Sequence, residues 1–173
     1  MNINDQFKKI TTFVFDMDGV LTDGTLFVFG NGEFIRRMHI KDGYALQLAV
    51  KRGYRVLVIS GSNSDAVVTR LQGLGINDVF MKISNKKELL AEYITKHQLS
   101  ADELLFMGDD MPDLEPMKLV GLPCAPLDAV AEIKEISKFI SSHNGGMGCV
   151  REVIEKVLKL NNDWELDPDV ASR

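Results

Sequence analysis

The segment from Phe13 to Gly24, FVFDMDGVLTDG, does most to restrict the fold, because an apolar run ends in two carboxylates, Asp16 and Asp18, within a glycine-containing turn. Side chains alternate along a strand, and Phe13 to Phe15 are apolar on both faces, the pattern of an interior strand covered on each side. Asp16 then stands at the strand's C-terminal end, the edge at which open α/β sheets bind ligands. Two acids so close repel and raise one pKa unless a cation lies between them. An EF-hand calcium loop is excluded, since its fifth and sixth positions need Asp or Asn and then Gly, where this chain has Val20 and Leu21. A plain surface turn is the bland alternative for a lone DxDG, and it recedes only as later motifs fall in step.

The rest of the chain alternates strands with helices. After a short polar lead, Met1 to Lys9, the first strand runs over Ile10 to Phe15. Leu26 to Phe29 and Glu33 to Met38 flank Gly30-Asn31-Gly32, a hairpin signal. Helical spacing follows at Tyr44 to Val50, then an apolar strand at Arg55 to Ile59 that ends in Ser60-Gly61. Ser64 or Asp65 caps the next helix, which runs to about Leu74, so that a strand, a turn of small residues and a helix N-terminus together make a phosphate site. Val79 to Met81 reads as a short strand, and Ser84-Asn85-Lys86 opens a helix to about His97. Leu104 to Met107 is another apolar strand, followed by GDDMPD at Gly108 to Asp113 and a helix to about Val120. Strands at Leu122 to Cys124 and Phe139-Ile140, with helices from Asp128 and over Val150 to Leu160, complete the series. This order predicts an α/β fold with a Rossmann-like parallel sheet, helices on both faces and a projecting β-hairpin at about 25–38. One domain is expected over residues 1–160, with 161–173 as a tail, either disordered or ordered by a partner.

Charge narrows the partners. Twenty Lys and Arg against 25 Asp and Glu give a net −5, with no basic run, so neither nucleic acid nor an anionic membrane is expected as a partner. No basic and apolar leader opens the sequence, and no apolar run approaches the roughly 18 residues of a membrane helix, which suggests a cytoplasmic location. Cys124 and Cys149 form no metal-binding pattern and read as reduced structural thiols.

Polar residues follow several strands or their connections at one sheet edge: Asp16 and Asp18, Ser60, Lys86, and Asp109 with Asp110 and Asp113. Singly, Ser60 reads as a helix cap, Lys86 as a solvated charge and Asp109 to Asp113 as a helix start. Together they form a hard-oxygen site suited to Mg²⁺, which favours a few carboxylates plus water and substrate phosphate. With a cation present, Asp16 can approach a phosphate dianion and act as a carboxylate nucleophile. Asp18 is placed as general acid and then base, while Ser60 and Lys86 hold the non-bridging oxygens. Phosphoryl transfer to water is the reaction class that uses this set.

The motifs FDMDGVLTDG, VISGS, SNK and GDDMPD resemble, in order, those of the haloacid dehalogenase superfamily. Asp at both positions of the first motif is similar to its phosphatases. The hairpin after that motif, HIKDGYA at His39 to Ala45 and GGMGCVRE at Gly145 to Glu152, resembles the 3-deoxy-D-manno-octulosonate 8-phosphate phosphatase group, which includes phosphatases of nine-carbon sialic-type sugar phosphates. The resemblance implies Mg²⁺ held at Asp16, Asp18 and Asp109, with Asp110 and Asp113 in support. It implies substrate contacts from Asp18, His39, Ile40, Lys41, Asp42, Gly43, Ser60, Gly61, Arg70 and Lys86. The short gaps between motifs leave no room for a cap domain, and the resemblance implies a homotetramer whose hairpins meet centrally and whose subunits close one another's sites. Members of the octulosonate type usually carry Arg where this chain has Ser62, Gln47 and Met147. The implied substrate is therefore the octulosonate 8-phosphate or a related nine-carbon keto-acid phosphate. Two rivals stand beside this reading: a non-catalytic oligomerising module partnering a sugar-acid nucleotidyltransferase, and a phosphatase acting on a macromolecule through an uncapped site.

Overall fold

The computed structural model describes residues 2–171. In chain order its elements are α1 (Ile3–Lys9), β1 (Thr12–Phe15), β2 (Phe27–Val28), β3 (Phe34–Ile35), α2 (Ile40–Lys51), β4 (Arg55–Ile59), α3 (Asp65–Gly73), β5 (Asp78–Phe80), α4 (Lys86–His97), β6 (Leu104–Met107), α5 (Leu114–Met117), β7 (Leu122–Ala125), α6 (Ala131–Ile136), β8 (Phe139–Ile140) and α7 (Cys149–Leu160). Six strands pair in parallel in the order β5-β4-β1-β6-β7-β8, and β2 and β3 form a separate antiparallel ribbon. The chain leaves β1 toward β4 on one side and later returns to β6 on the other. The strand order therefore reverses at β1, where open α/β sheets leave a crevice beyond their carboxyl ends.

Alternation along the strands divides the interior into two cores. Phe13, Phe15, Val56, Val58, Leu105 and Met107 face a core completed by α1, α2, α3 and α7, whereas Val14, Leu57, Ile59 and Phe106 face α4, α5 and α6. Helix α7 shows how spacing makes an interface. Val150, Val153, Ile154, Val157 and Leu158 are all fully buried, the stripe that a period of 3.6 residues produces.

Three regions depart from the sequence-based expectation. The polar lead is a helix: Asn2 caps α1 by accepting from the Asn4 N–H at 3.1 Å, and Phe7 packs edge-on against Phe139 at 5.2 Å. After GDDMPD the expected long helix is a 3₁₀ turn at Met111–Asp113 followed by the four-residue α5, because Pro112 and Pro116 lack the N–H that a regular helix requires. The described part of the tail, residues 161–171, packs against the rest of the domain. Asp163 accepts from the Tyr54 hydroxyl at 2.6 Å, Arg52 donates to the Asp163 carbonyl at 3.2 Å, Gln47 donates to the Ala171 carbonyl at 2.7 Å, and Val170 is buried. Ser172 and Arg173 lie outside the described residues. Among the described residues no helix is long and apolar enough to cross a membrane.

Candidate active site

The register that joins β1 to β4 and β6 sets the ends of these strands side by side, so Asp16, Ser60 and Asp109 emerge at one edge. The Asp16 N–H donates to the Met107 carbonyl at 3.1 Å, which carries the pairing with β6 one residue past β1. The chain then turns through Met17–Leu21 with Gly19 at φ +89°. A Cβ on Gly19 would stand 1.9 Å from Asp109 Oδ2, so glycine is required here by backbone conformation and by the approach of the second acid. Behind the turn, the Gly146 N–H donates to the Val20 carbonyl at 2.9 Å, and a Cβ on Gly145 would lie 1.9 Å from the Gly19 carbonyl oxygen. The GGMG segment is thus the back wall of the acid turn.

Lys86, the first residue of α4, is the electrostatic centre of the floor. Its Nζ lies 2.7 Å from Asp16 Oδ1 and 2.7 Å from Asp113 Oδ1, with the Lys86 and Asp113 side chains only 5% and 1% exposed. Asp113 Oδ2 accepts from the Asp109 N–H at 3.1 Å, so both of its oxygens are engaged. Burial by itself would lower the Lys86 pKa, but Asp113 and Asp16 overcome it and hold the ammonium above its usual value. Burial raises Asp16, with Asp113 adding to the rise and Lys86 opposing it. Burial also raises Asp109, with Asp16 and Asp113 contributing through repulsion.

These carboxylates fit a divalent cation. Asp16, Asp109 and Asp113 each offer an oxygen, all within 4.8 Å of one another, and buried Asp109 Oδ1 has no hydrogen-bond partner. Three carboxylates against one ammonium leave a formal charge of −2, which a hard dication neutralises. Since Asp113 is already engaged on both oxygens, Asp16 and Asp109 are the available ligands. The Asp18 carboxylate lies outside this cluster. Arg36 holds it by a bidentate pair at 2.7 and 3.1 Å, and Thr22 donates to it at 3.3 Å.

Opposite the acids, Ser60 is buried at the end of β4, where its Oγ accepts from the Ser62 N–H at 3.1 Å. Ser60, Gly61, Ser62, Asp110 and the floor residues line a cleft of ≈ 480 Å³. Asp110 stands at the rim, with Oδ1 accepting from the Met111 N–H at 2.8 Å. The structure places the remaining expected contacts elsewhere. Ile40 and Arg70 line a separate groove of ≈ 340 Å³ with Arg36, and His39 and Lys41 line one of ≈ 530 Å³ beside α7. Asp42 is buried and accepts from the Arg151 N–H at 2.8 Å, capping α7 from a distance, and Gly43 is buried within α2. Sequence reasoning missed Arg36. Its only signal was an Arg-Arg pair on the returning arm of a hairpin that springs from the acid turn.

A family model described as haloacid dehalogenase-like hydrolase matches residues 59–154, more than half of the chain. The 3-deoxy-D-manno-octulosonate 8-phosphate phosphatase of Escherichia coli K12 is 30% identical over 151 residues, covering 87% of this chain and 80% of that protein. Among solved structures, the enzyme of that name from Moraxella catarrhalis, in complex with magnesium, phosphate and KDO, superposes with a TM-score of 0.90 at 29% identity, covering 94% and 93% of the two chains. A cobalt-bound form from Haemophilus influenzae gives 0.86 at 29% identity, covering 91% and 92%. With the acid turn, the lysine-centred floor and these likenesses in agreement, the chain belongs to the haloacid dehalogenase-like hydrolases.

Proposed function

We propose that this chain is a Mg²⁺-dependent phosphatase of sugar-acid phosphate monoesters, acting on 3-deoxy-D-manno-octulosonate 8-phosphate or a related nine-carbon keto-acid phosphate. The observation that carries the reading is the Asp16–Lys86–Asp113 array, with the partnerless oxygen of Asp109 beside it and Ser60 across the cleft. A bound Mg²⁺ supplies charge neutralisation between the carboxylates and the phosphate oxygens. Asp16 attacks phosphorus, and the ester oxygen departs with a proton from Asp18, leaving an aspartyl-phosphate. Water then yields a proton to Asp18 and attacks phosphorus, which frees phosphate and regenerates Asp16. Lys86 and Ser60 hold the non-bridging oxygens as charge redistributes. So complete a catalytic set weighs against a non-catalytic module partnering a nucleotidyltransferase.

The hairpin supports a homotetramer. Leu26 to Phe29, Phe34 and Ile35 are all exposed, and a two-stranded ribbon with an apolar surface needs a cover. The acidic balance of the chain, with no basic run, suits a small-molecule substrate better than nucleic acid or an anionic membrane. The test is phosphate release from a set of phosphorylated 2-keto-3-deoxy acids. Turnover with Mg²⁺ and its loss in EDTA are expected, and failure on every such acid overturns the substrate class.

A further inference from the structure

Arg36 runs against the hairpin that carries it. Its neighbours Phe34 and Ile35 are exposed, whereas its own side chain is 6% exposed and grips Asp18 with two nearly parallel bonds, Nε to Oδ1 and Nη2 to Oδ2. Thr22 Oγ1 adds a third bond at Oδ1, so both oxygens of Asp18 are committed. A group that exchanges a proton with the ester oxygen must turn one oxygen toward it, and this grip, which takes three of about four acceptor sites on Asp18, opposes that turn. Arg36 also lines the groove that contains Ile40 and Arg70, and this groove adjoins the phosphate cleft through the Arg36–Asp18 pair. A guanidinium fork receives any carboxylate in the same geometry, so a carboxylate entering that groove competes like for like with Asp18. Ser62, at a lining position of the cleft, offers no charge.

We propose that Arg36 determines specificity by exchange: the carboxylate of a bound sugar acid replaces Asp18 on Arg36, and Asp18, so released, turns to the phosphate end. The exchange rests on the sugar-acid phosphatase reading above. A phosphate ester with a carboxylate trades one bidentate pair for another. An ester without one must break the pair and leave Arg36 without an anion, which slows its turnover.

The test compares kcat/KM for 3-deoxy-D-manno-octulosonate 8-phosphate and for phenyl phosphate, both with Mg²⁺, in the wild type, Arg36→Met, Arg36→Lys and Arg37→Met. Arg37 ties the hairpin to Asp23 at 2.7 Å and does not touch Asp18, so Arg37→Met controls for loosening of the hairpin. In the wild type the acid is favoured. Arg36→Met is expected to lower kcat/KM for the acid by roughly tenfold or more while leaving phenyl phosphate equal or faster, with partial rescue by Arg36→Lys and unchanged selectivity in Arg37→Met. Equal losses on both substrates in Arg36→Met overturn the exchange. A wild type that cleaves phenyl phosphate but none of the sugar-acid phosphates overturns the substrate reading instead, and the exchange falls with it.

Discussion

The floor of the cleft and the hairpin that follows the acid turn are built to opposite standards. On the floor, Lys86, Asp16 and Asp113 are buried, with Lys86 bonded to both acids at 2.7 Å and α4 and the Met111–Asp113 turn fixing it from two directions. In the hairpin, two residues per strand pair, and the apolar side chains of both strands are 43% to 69% exposed. A parallel sheet gives its C-terminal edge a rigid frame with no help from outside. A ribbon this short gains little from its own pairing and is completed only by contact with something else. The buried lysine and acids therefore lie in the region that is finished within one chain, and the proposed tetramer rests on the region that is not.

The strongest test of this division is Asp16→Asn, an exchange of nearly equal shape that removes the nucleophile. Turnover should drop by on the order of 10⁴-fold or more with circular dichroism unchanged, and near-normal kcat would remove Asp16 from the chemistry. Lys86→Met should then show that the floor is also structural. With Asp16 and Asp113 left buried together, unfolding by urea should reveal a loss of about 3 to 5 kcal/mol, and a loss under 1 kcal/mol would mean the lysine is dispensable to the fold.

Acidity and metal probe the same region. Asp16 and Asp109 hold their protons to higher pH in the fold than in the unfolded chain, because burial and mutual repulsion disfavour their charged forms. Between the ordinary carboxylate range and these raised values the folded state binds more protons than the unfolded chain, so this contribution is full below that range and the metal-free protein loses stability as pH rises through the raised values. Mg²⁺ should raise the melting temperature more at about pH 8 than at about pH 5, the gain at saturation corresponding to about 2 to 3 kcal/mol. An equal gain at both values, or no dependence on Asp109 in an Asp109→Asn comparison, contradicts this account. The smallest effect is expected in the hairpin. Replacing Phe27 and Phe34 with Ser should move the intrinsic stability of the subunit by no more than about 0.5 kcal/mol, yet sedimentation should collapse to the 19.3 kDa species. An intact oligomer after that change would place the interface elsewhere.

The same division governs what the sequence revealed. β6 was legible at Leu104–Met107 and β4 at Arg55–Ile59 because interior parallel strands are short apolar runs, and the acids after them follow from strand ends alone. Arg36 was not, since its bond to Asp18 joins residues 18 apart through a tertiary approach that no local period encodes. Helix α1 escaped because seven residues with Phe7 as their one fully buried anchor show no repeat. The tail escaped for a related reason. It is fastened by side chains such as Arg52 and Gln47 that bond to its carbonyls, and carbonyls are the same in every sequence.

The contact between Gly145 and Gly19 has a bearing on the order in which the protein is made. The acid turn is synthesised within the first two dozen residues, but its back wall lies more than a hundred residues later, just before α7. During synthesis β1 must also wait for β6, its partner on one side, so a nascent chain carries an open strand edge at what will become the middle of the sheet. A ribosome-bound fragment ending after β7 holds Asp16, Lys86 and Asp109 and the turn's own Thr22 bonds, yet lacks the glycine wall behind Gly19. The acid turn is therefore walled from behind only once the glycine segment emerges.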